Sequence, residues 1–276
     1  VAWGLHHSTL SPAYNKRSTL LTARACAYLS RRIPAAIVCC AESTRRVHAA
    51  VGYDERRMVV IPNGFDLNEF RPDPAARRAV REELGLAPDT RLVGVVARFH
   101  PQKDHRTFIE AAGRLRAWHD DVHFLFAGGR LDWSNAELVR WIDEAGIRDR
   151  CHLLGRRGDI GRIQASLDVA CLPSQGGEAL PLTIGEAMAA GIPCVVTDVG
   201  DAALLVGDTG RVVPVRDPGA LARACQSLLE LSPEAWAALG ASARQRIAQH
   251  YALPVIAQRY ADLWQQLAER GLRCAA

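Results

Sequence analysis

Residues 169–198 read VACLPSQGGEALPLTIGEAMAAGIPCVVTD. The stretch begins with an apolar run over 169–174 and ends with another over 194–198, and residues 182–190 carry apolar side chains at helical spacing. Both runs are continuously apolar, which is typical of strands covered on both faces of a sheet. The stretch therefore predicts two parallel strands joined by a helix.

The same alternation continues on either side of this unit, from about residue 90 onward. Further apolar runs lie at 91–99, 122–129, 151–155 and 210–215, and further helical patterns at 107–118, 136–146, 160–165 and 220–231. Repeated strand–helix–strand units predict an α/β fold with one Rossmann-like, doubly wound parallel sheet. Because ligands bind at the carboxyl ends of the strands in such sheets, we expect the functional residues just after each apolar run.

The chain ahead of this sheet predicts a different unit. Residues 1–62 hold an apolar start, two helical patterns and two further short strands, which is too little chain to bury a core alone. We interpret 1–62 as the tail of a preceding α/β domain, 63–252 as a second domain that opens with a charged, proline-containing segment, and 253–276 as a C-terminal helix. Since the chain begins with valine and not methionine, we also expect a fragment of a longer protein.

The composition excludes several classes of protein. Of the 276 residues, 49% are apolar and 23% charged, which suits a globular core and excludes a disordered, collagen-like or small disulfide-stapled chain. The sequence contains no run of eighteen apolar residues, so it predicts no transmembrane helix. The net charge of +4 is no argument for nucleic-acid binding, but it is compatible with an anionic ligand or a weak contact with a membrane surface. The eight cysteines are scattered without zinc spacing, which favours a reduced, cytosolic protein.

Arg98 and Lys103 form the first candidate site, in the segment ARFHPQKDH that follows a predicted strand. Two cations five residues apart in a loop can converge on a diphosphate, which Arg chelates and Lys contacts as a point charge. Lys103 is one of only two lysines among 34 basic residues, so a general bias toward arginine does not account for it. The alternative is an ordinary solvated turn.

Glu178 and Glu186 form the second candidate, on either side of the start of a predicted helix. Pro181 suits the first turn of that helix, whose free N–H groups would lie at the strand ends and suit a phosphate. Carboxylates accept hydrogen bonds from sugar hydroxyls, so two acids beside a phosphate site suit a nucleotide-sugar. The alternative is one capping acid and one exposed helix acid.

The remaining signals are weaker. Glycine in the strand-end loops at 155–157 and 197–201 lets a ligand approach closely, but ordinary turns have the same composition. His6 and His7 could contact a substrate or belong to a polar turn. No D-x-D segment follows a strand, so we expect no metal, and the dinucleotide, P-loop and nucleophile-elbow motifs are also absent. We expect no cofactor.

Together these segments resemble family 4 of the retaining glycosyltransferases, also called glycosyl transferases group 1, which has the GT-B fold. The resemblance runs from about His6 to the C-terminus. It is carried by VIPNGFDLNEFRP, VVARFHPQKDHRTFIEAA, FLFAGG, LLGRRGDI, DVACLPSQGGEALPLTIGEAMAAGIPCVVTDVGD and GDTGRVVPVRDP. The seven-residue gap between Glu178 and Glu186, after the pair Arg98 and Lys103, is its most specific feature.

The resemblance implies a retaining, metal-independent enzyme that transfers a sugar from a nucleotide-diphospho-sugar, with UDP or GDP as the nucleotide, to a glycan or lipid-linked acceptor. It implies that residues 1–62 belong to the acceptor-side domain, that 63–252 bind the donor, and that 253–276 cross back onto the first domain. It further implies a cytoplasmic enzyme of polysaccharide synthesis at the inner face of the membrane, with no nucleic-acid partner.

The same resemblance implies roles for the candidate residues. In the catalytic set, Arg98 and Lys103 would neutralise the departing diphosphate and Glu178 would contact the transferred sugar, while Glu186 would bind the ribose hydroxyls. The backbone around Ala179, Leu180, Pro181 and Leu182 would contact the phosphate and the sugar. Gly155, Arg156 and Arg157 would lie in a loop near the base, and either His6 or His7 would contact the donor sugar.

Two features depart from the family. Ala179-Leu180 follows the first acid where Gly-Phe is common, and Leu182 replaces a small polar residue. The resemblance also implies that most of the acceptor domain is missing, so a donor-binding module without turnover is an alternative function. A nucleotide-sugar epimerase of the same fold is a third hypothesis, against which the pair Glu178 and Glu186 argues.

Overall fold

The computed structural model describes residues 1–12 and 15–275, with side chains described through residue 269. Its strands are β1 (Ala2–Leu5), β2 (Ala36–Cys39), β3 (Met58–Val60), β4 (Arg91–Val96), β5 (Val122–Ala127), β6 (Cys151–Leu153), β7 (Val169–Leu172), β8 (Cys194–Thr197) and β9 (Gly210–Val213). Its helices are α1 (Arg17–Leu29), α2 (Glu42–Val51), α3 (Pro74–Glu83), α4 (His105–Trp118), α5 (Ala136–Glu144), α6 (Ile160–Ser166), α7 (Leu182–Ala189), α8 (Ala202–Val206), α9 (Pro218–Leu229), α10 (Pro233–His250) and α11 (Leu253–Ala275). Ala13, Tyr14 and Ala276, which fall within the predicted first domain and C-terminal helix, lie outside the described residues.

The described strands form two parallel sheets. The smaller has the order β1-β2-β3, and the larger has the order β6-β5-β4-β7-β8-β9. The larger sheet therefore starts at its centre with β4, extends to one edge, returns to β7 beside β4 and extends to the other edge. This is the doubly wound arrangement that the apolar runs predict, and the prediction is confirmed.

The larger sheet is covered by helices on both faces, which explains its continuously apolar strands. Successive side chains along a strand point to opposite faces. On one face, Leu92 and Val196 belong to a core that includes Met188 of α7, and on the other, Val93 and Phe124 pack in a second core. Each strand is therefore buried on both sides.

The smaller sheet lies between α1 and α2 on one face and α11 on the other. Ile37 and Cys39 share a core with Ala27 of α1, whereas Val38 packs with Ile256 of α11. The chain crosses between the two sheets twice, first after β3 and again between α10 and α11. The two crossings lie side by side, because Phe65 of the first forms a parallel bridge with Ala252 of the second. None of the described helices combines the length and the hydropathy that a bilayer crossing needs.

Helix α3 lies in the charged segment before β4, in which the sequence pattern predicts no helix. Its first turn has a proline, Pro74, after Asp73, whose carboxylate accepts a hydrogen bond from the Ala76 N–H at 2.8 Å. Arg77 and Arg81 then pair with Asp168, just before β7, at 2.5 and 2.7 Å. The capping signal was present in the sequence, but the charges that anchor the helix are far apart in the chain.

Candidate functional site

Two loops meet where the strand order of the larger sheet reverses. The β4 loop (residues 97–104) follows β4, and the β7 loop (residues 173–181) follows its neighbour β7. Gln175 joins them, because its backbone N–H donates to the Gln102 carbonyl at 2.9 Å and its side-chain amide donates to the Pro101 carbonyl at 2.7 Å. In doubly wound sheets this reversal point is where ligands bind.

Lys103 and Glu178 are the candidate residues that this arrangement brings into contact. The Lys103 ammonium donates to Glu178 Oε1 at 2.5 Å, and the Ser174 hydroxyl donates to the same oxygen at 2.6 Å. The Glu178 side chain is 8% exposed and that of Lys103 is 24% exposed. Since an ammonium has three protons, Glu178 orients Lys103 and leaves donors available for an anion.

A hollow of about 300 Å³ opens beside this ion pair. Lys103 and Glu178 line it together with His6, Asn63 and the β7–α7 junction 179–183. Helix α7 begins at Leu182 without a side-chain cap at Pro181. An uncapped helix start offers backbone N–H groups and the positive end of the helix dipole to an anion. The hollow thus combines a cation with a helix N-terminus.

A second hollow, of about 590 Å³, lies between the two sheets. Arg98 lines it with His6, His7 and His100. Arg98 is exposed, and no described carboxylate pairs with it. Partial burial, and then the positive charges of Arg98 and Lys103, lower the pKa of His100. The region around this hollow is therefore positively charged and suits an anion.

His6 lines both hollows, whereas His7 lines only the larger. His6 directly follows β1, at the carboxyl edge of the smaller sheet. The smaller sheet therefore contributes directly to the wall of the candidate site, although the two loops that bear the charges belong to the larger sheet.

The β7 loop is supported from behind by the loop that follows β8. Gly200 has a φ of +56°, and a Cβ at this position would overlap the Glu178 carbonyl oxygen. The Asp201 N–H donates to the Ala179 carbonyl at 2.8 Å. The Asp201 carboxylate accepts hydrogen bonds from the backbone N–H groups of Glu42 and Ser43, at 2.6 and 2.8 Å, and so caps α2 of the smaller sheet.

Asp201 is the supporting residue that sequence reasoning missed. Its signal in the sequence was its place in the strand-end loop 197–201, which looks like an ordinary turn. Its partners lie nearly 160 positions earlier in the chain.

Glu186 is separated from the other three charged candidates. It lies one turn inside α7, is half-buried, and lines neither hollow. Burial, and then the nearby Glu69 carboxylate, raise its pKa to about 7. Within the described residues no hydrogen-bond partner holds its carboxylate, so a ligand with hydroxyl donors would satisfy it.

Gly155 and Arg156 also line neither hollow. They follow β6, where Gly155 has a φ of +61° and its carbonyl accepts from the Gly128 N–H at 2.7 Å. Arg156 is exposed, but Arg157 pairs with Glu83 of α3 at 2.5 Å and with Asp159 at 2.8 Å. Arg157 therefore holds α3 rather than standing free for a ligand.

The structure thus divides the candidate residues into three groups. Around the larger hollow lie Arg98, His6 and His7; around the smaller lie Lys103, Glu178, Ala179, Leu180, Pro181, Leu182 and again His6; outside both lie Glu186, Gly155 and Arg156. Within residues 1–12 and 15–275, no three His, Cys, Asp or Glu side chains are grouped so that they could hold a metal ion.

The family described as Glycosyl transferases group 1 matches residues 90–231, which is about half of the chain and includes both loops. The D-inositol 3-phosphate glycosyltransferase of Mycobacterium tuberculosis is 35% identical over 197 residues, covering 69% of this chain and 40% of that protein. The chain therefore spans less than half the length of this relative.

Two solved structures share the fold. HepE of Anabaena, solved with UDP and glucose, aligns with a TM-score of 0.85 and 24% identity over 96% of this chain and 71% of its own. The sucrose-phosphate synthase of Thermosynechococcus elongatus aligns with a TM-score of 0.79 and 23% identity over 95% of this chain and 65% of its own. The similarity covers both sheets, since it extends over nearly the whole chain.

Proposed function

The chain belongs to the glycosyl transferases group 1 family, and on that premise we propose that it transfers a sugar from a nucleotide-diphospho-sugar to a hydroxyl of a glycan or lipid-linked acceptor. The observation that carries the proposal is the contact of Lys103 with Glu178 at the reversal point of the sheet, beside the uncapped start of α7. A cation and a helix N-terminus in one hollow suit a diphosphate. A site for a neutral sugar alone would need neither the cation nor the helix N-terminus.

The donor is a UDP- or GDP-sugar in this proposal. HepE, with the same fold, was solved with UDP and glucose, so UDP-glucose is the first donor to test. Glu186 binds the ribose hydroxyls, which would supply the hydrogen bonds that its half-buried carboxylate lacks. The backbone of 179–182 contacts the phosphates and the sugar, His6 or His7 approaches the sugar from the smaller sheet, and the 155–156 loop lies near the base.

The reaction breaks the bond between the anomeric carbon and the diphosphate oxygen. Lys103 and Arg98 stabilise the negative charge that develops on the diphosphate, which is the kind of electrostatic term that contributes most to catalysis. The acceptor hydroxyl attacks on the face from which the diphosphate leaves, and its oxygen forms the new bond to the anomeric carbon. Its proton passes to the departing diphosphate oxygen, the nearest base on that face, so the sugar keeps its anomeric configuration.

Glu178 acts in this proposal through Lys103 as well as on the sugar. Its Oε1 already accepts hydrogen bonds from Lys103 and Ser174, so it sets the position of the ammonium. The positive charges of Lys103 and Arg98 stabilise the departing diphosphate, which is the role of a divalent cation in metal-dependent enzymes. We therefore propose that transfer needs no metal. With a lipid-linked acceptor, the reaction would occur at the cytoplasmic face of the membrane.

The test is titration of the chain with UDP-glucose and GDP-glucose, followed by transfer assays with lipid and glycan acceptors. Lys103→Met removes the charge at similar length, and we expect at least a tenfold weaker diphosphate affinity and about a hundredfold slower transfer. Arg106→Gln is the matched control, because Arg106 is an exposed cation of α4 paired with Glu110. Equal donor affinity in Lys103→Met and the wild type would contradict the site.

Two further readouts address the mechanism. The anomeric configuration of the product, followed by NMR, is expected to be the same as that of the donor. Addition of a chelator is expected to leave the rate unchanged. An inverted product would overturn same-face attack, and loss of the rate with the chelator would overturn the metal-free proposal. Donor binding without transfer to any acceptor would favour the alternative of a donor-binding module.

A further inference from the structure

His100 lies in the β4 loop between the two cations of the candidate site. Arg98 precedes it by two residues and Lys103 follows it by three. The His100 ring is half-buried and lines the larger hollow together with Arg98. The proposed reaction uses Arg98 and Lys103 but gives this imidazole no part.

The backbone determines which nitrogen of the His100 ring bears the proton. The Gln102 N–H donates to His100 Nδ1 at 3.3 Å, so Nδ1 acts as an acceptor. A neutral imidazole has one N–H, which must then be on Nε2. Among the described residues, none forms a hydrogen bond with Nε2. The ring therefore offers a hydrogen-bond donor to the hollow that it lines.

The surroundings of the ring keep it neutral in the free protein. Partial burial, and then the positive charges of Arg98 and Lys103, lower its pKa below the ordinary value of 6.5. His6 and His7, which follow β1, line the same hollow, but no Asp or Glu is among the described residues that line it. Glu178 on the β7 loop is the nearby acid, and its carboxylate already accepts a hydrogen bond from Lys103. The ring is therefore in a region of positive charge, which favours an anionic ligand.

We propose that His100 is a further donor-binding residue, whose Nε2–H donates a hydrogen bond to the diphosphate that Arg98 and Lys103 hold. Phosphate oxygens accept hydrogen bonds from several donors at once, so a third donor on the same loop adds to the two cations. The inference rests on the proposed function, since it concerns the diphosphate of that reaction. The negative charge of the diphosphate would also offset the two cations, so the ring would take up a proton more readily when the donor is bound.

The alternative is that His100 only caps the turn that leads to Lys103. Its Nδ1 caps the short 3₁₀ helix Pro101–Lys103, whose last residue is Lys103 itself. Capping alone would use Nδ1 and would give Nε2 no function. Substitution can separate the two nitrogens, because asparagine and glutamine place their amide groups at different distances from the backbone.

The experiment is titration of the full chain with UDP-glucose and GDP-glucose, in the wild type and in two variants. His100→Asn keeps an acceptor near the position of Nδ1 but has no donor at that of Nε2. We expect it to bind the donor about tenfold more weakly, which is the size of one hydrogen bond to a charged group. His100→Gln has an amide N–H near the position of Nε2 but no acceptor at that of Nδ1, and we expect its affinity to stay within about threefold of the wild type. His250→Asn, at the exposed end of α10, is the control and should bind as the wild type does.

The protonation of the ring gives a second readout, which capping alone would not change. In a chain labelled with ¹³C-histidine, the NMR signal of His100 is assigned by its loss in His100→Asn. Its pKa is then measured with and without the donor between about pH 5 and 8, a range in which the doubly esterified diphosphate does not itself titrate. We expect saturation with the donor to raise the pKa of His100, and donor affinity to increase as the pH falls through the raised value.

Three results would overturn the inference. Unchanged donor affinity in His100→Asn with weaker affinity in His100→Gln would leave the ring with capping alone. Weaker affinity in both variants, with a pKa of His100 that the donor does not change, would lead to the same conclusion. A raised KM for the acceptor in His100→Asn, with unchanged donor affinity, would assign the ring to the acceptor instead.

Failure of the proposed function would give a different result. The wild type would then bind neither donor, or Lys103→Met would bind the donor as the wild type does, and the inference would fall with the site. Donor binding that depends on Lys103 but is the same in His100→Asn as in the wild type would leave the proposed function intact and overturn the role of His100 alone.

Discussion

The environment of Glu186 in the free protein disfavours the ionised form of its carboxyl group. Its carboxylate is half-buried and close to Glu69, and these two causes raise its pKa to about 7. In an unfolded chain it would ionise near its ordinary value of 4.5. Folding at neutral pH therefore costs free energy at this residue, which a ligand that donates hydrogen bonds to the carboxylate could recover.

We predict that Glu186→Gln stabilises the free protein at pH 8 by about 1 to 2 kcal/mol and has little effect at pH 4. The sign follows because the folded pKa is raised, so the cost of ionisation is absent below pH 4.5 and complete above pH 7. Urea unfolding at the two pH values measures the difference. Glu110→Gln on the exposed side of α4 is the control, and a stabilisation that is equal at both pH values would contradict the explanation.

At the scale of the elements, the β7 loop depends on a glycine of another loop. Gly200 adopts a left-handed backbone conformation and leaves space for the Glu178 carbonyl. The Lys103–Glu178 contact therefore depends on β8 as well as on β4 and β7. Short loops at strand ends can position charged groups because the strands beneath them are rigid.

We predict that Gly200→Ala destabilises the protein by about 1 to 3 kcal/mol, because it adds both backbone strain and an overlap with Glu178. It should also weaken donor binding, since the loop that bears Glu178 must move. Gly158→Ala is the matched control, because nothing lies within 4 Å of a Cβ at that position and its φ is not left-handed. Urea unfolding and donor titration of both variants measure these effects, and equal results for the two would contradict the prediction.

At the scale of the whole molecule, three features hold the two sheets together. The chain crosses between them at the bridge of Phe65 with Ala252, α11 packs on the smaller sheet through Ile256, and Asp201 caps α2 across the interface. The larger hollow lies between the sheets, so its shape depends on these contacts.

We predict that Asp201→Ala costs about 1 to 2 kcal/mol, because it removes a charged cap and leaves two helix N–H groups without an acceptor. The loss should appear as faster hydrogen exchange at the start of α2 and as weaker donor binding. Asp73→Ala removes the cap of α3, which lies within the larger unit, and it should destabilise the protein without changing exchange in α2. Unchanged exchange in α2 on Asp201→Ala would contradict the role of Asp201 between the sheets.

The order of apolar runs along the chain was sufficient to predict the doubly wound sheet, and the family was predicted from the resemblance of its motifs; both predictions are confirmed. Periodicity could predict the sheet because burial on both faces acts on each strand locally. The same reasoning missed α3, since a charged segment can be helical when its arginines pair with Asp168 about ninety positions later. Local patterns contain no information about such partners.

Which charged groups share a hollow depends on the order of the strands. Lys103 and Glu178 are 75 positions apart and meet only because β4 and β7 are neighbours, whereas Glu186, eight positions from Glu178, is carried into the body of α7 and away from both hollows. Asp201 reaches α2 for the same reason, across the interface of two sheets. Hydrophobic periodicity is a property of neighbouring residues, but contacts at a site are made in three dimensions, after the sheet has brought distant loops to one edge.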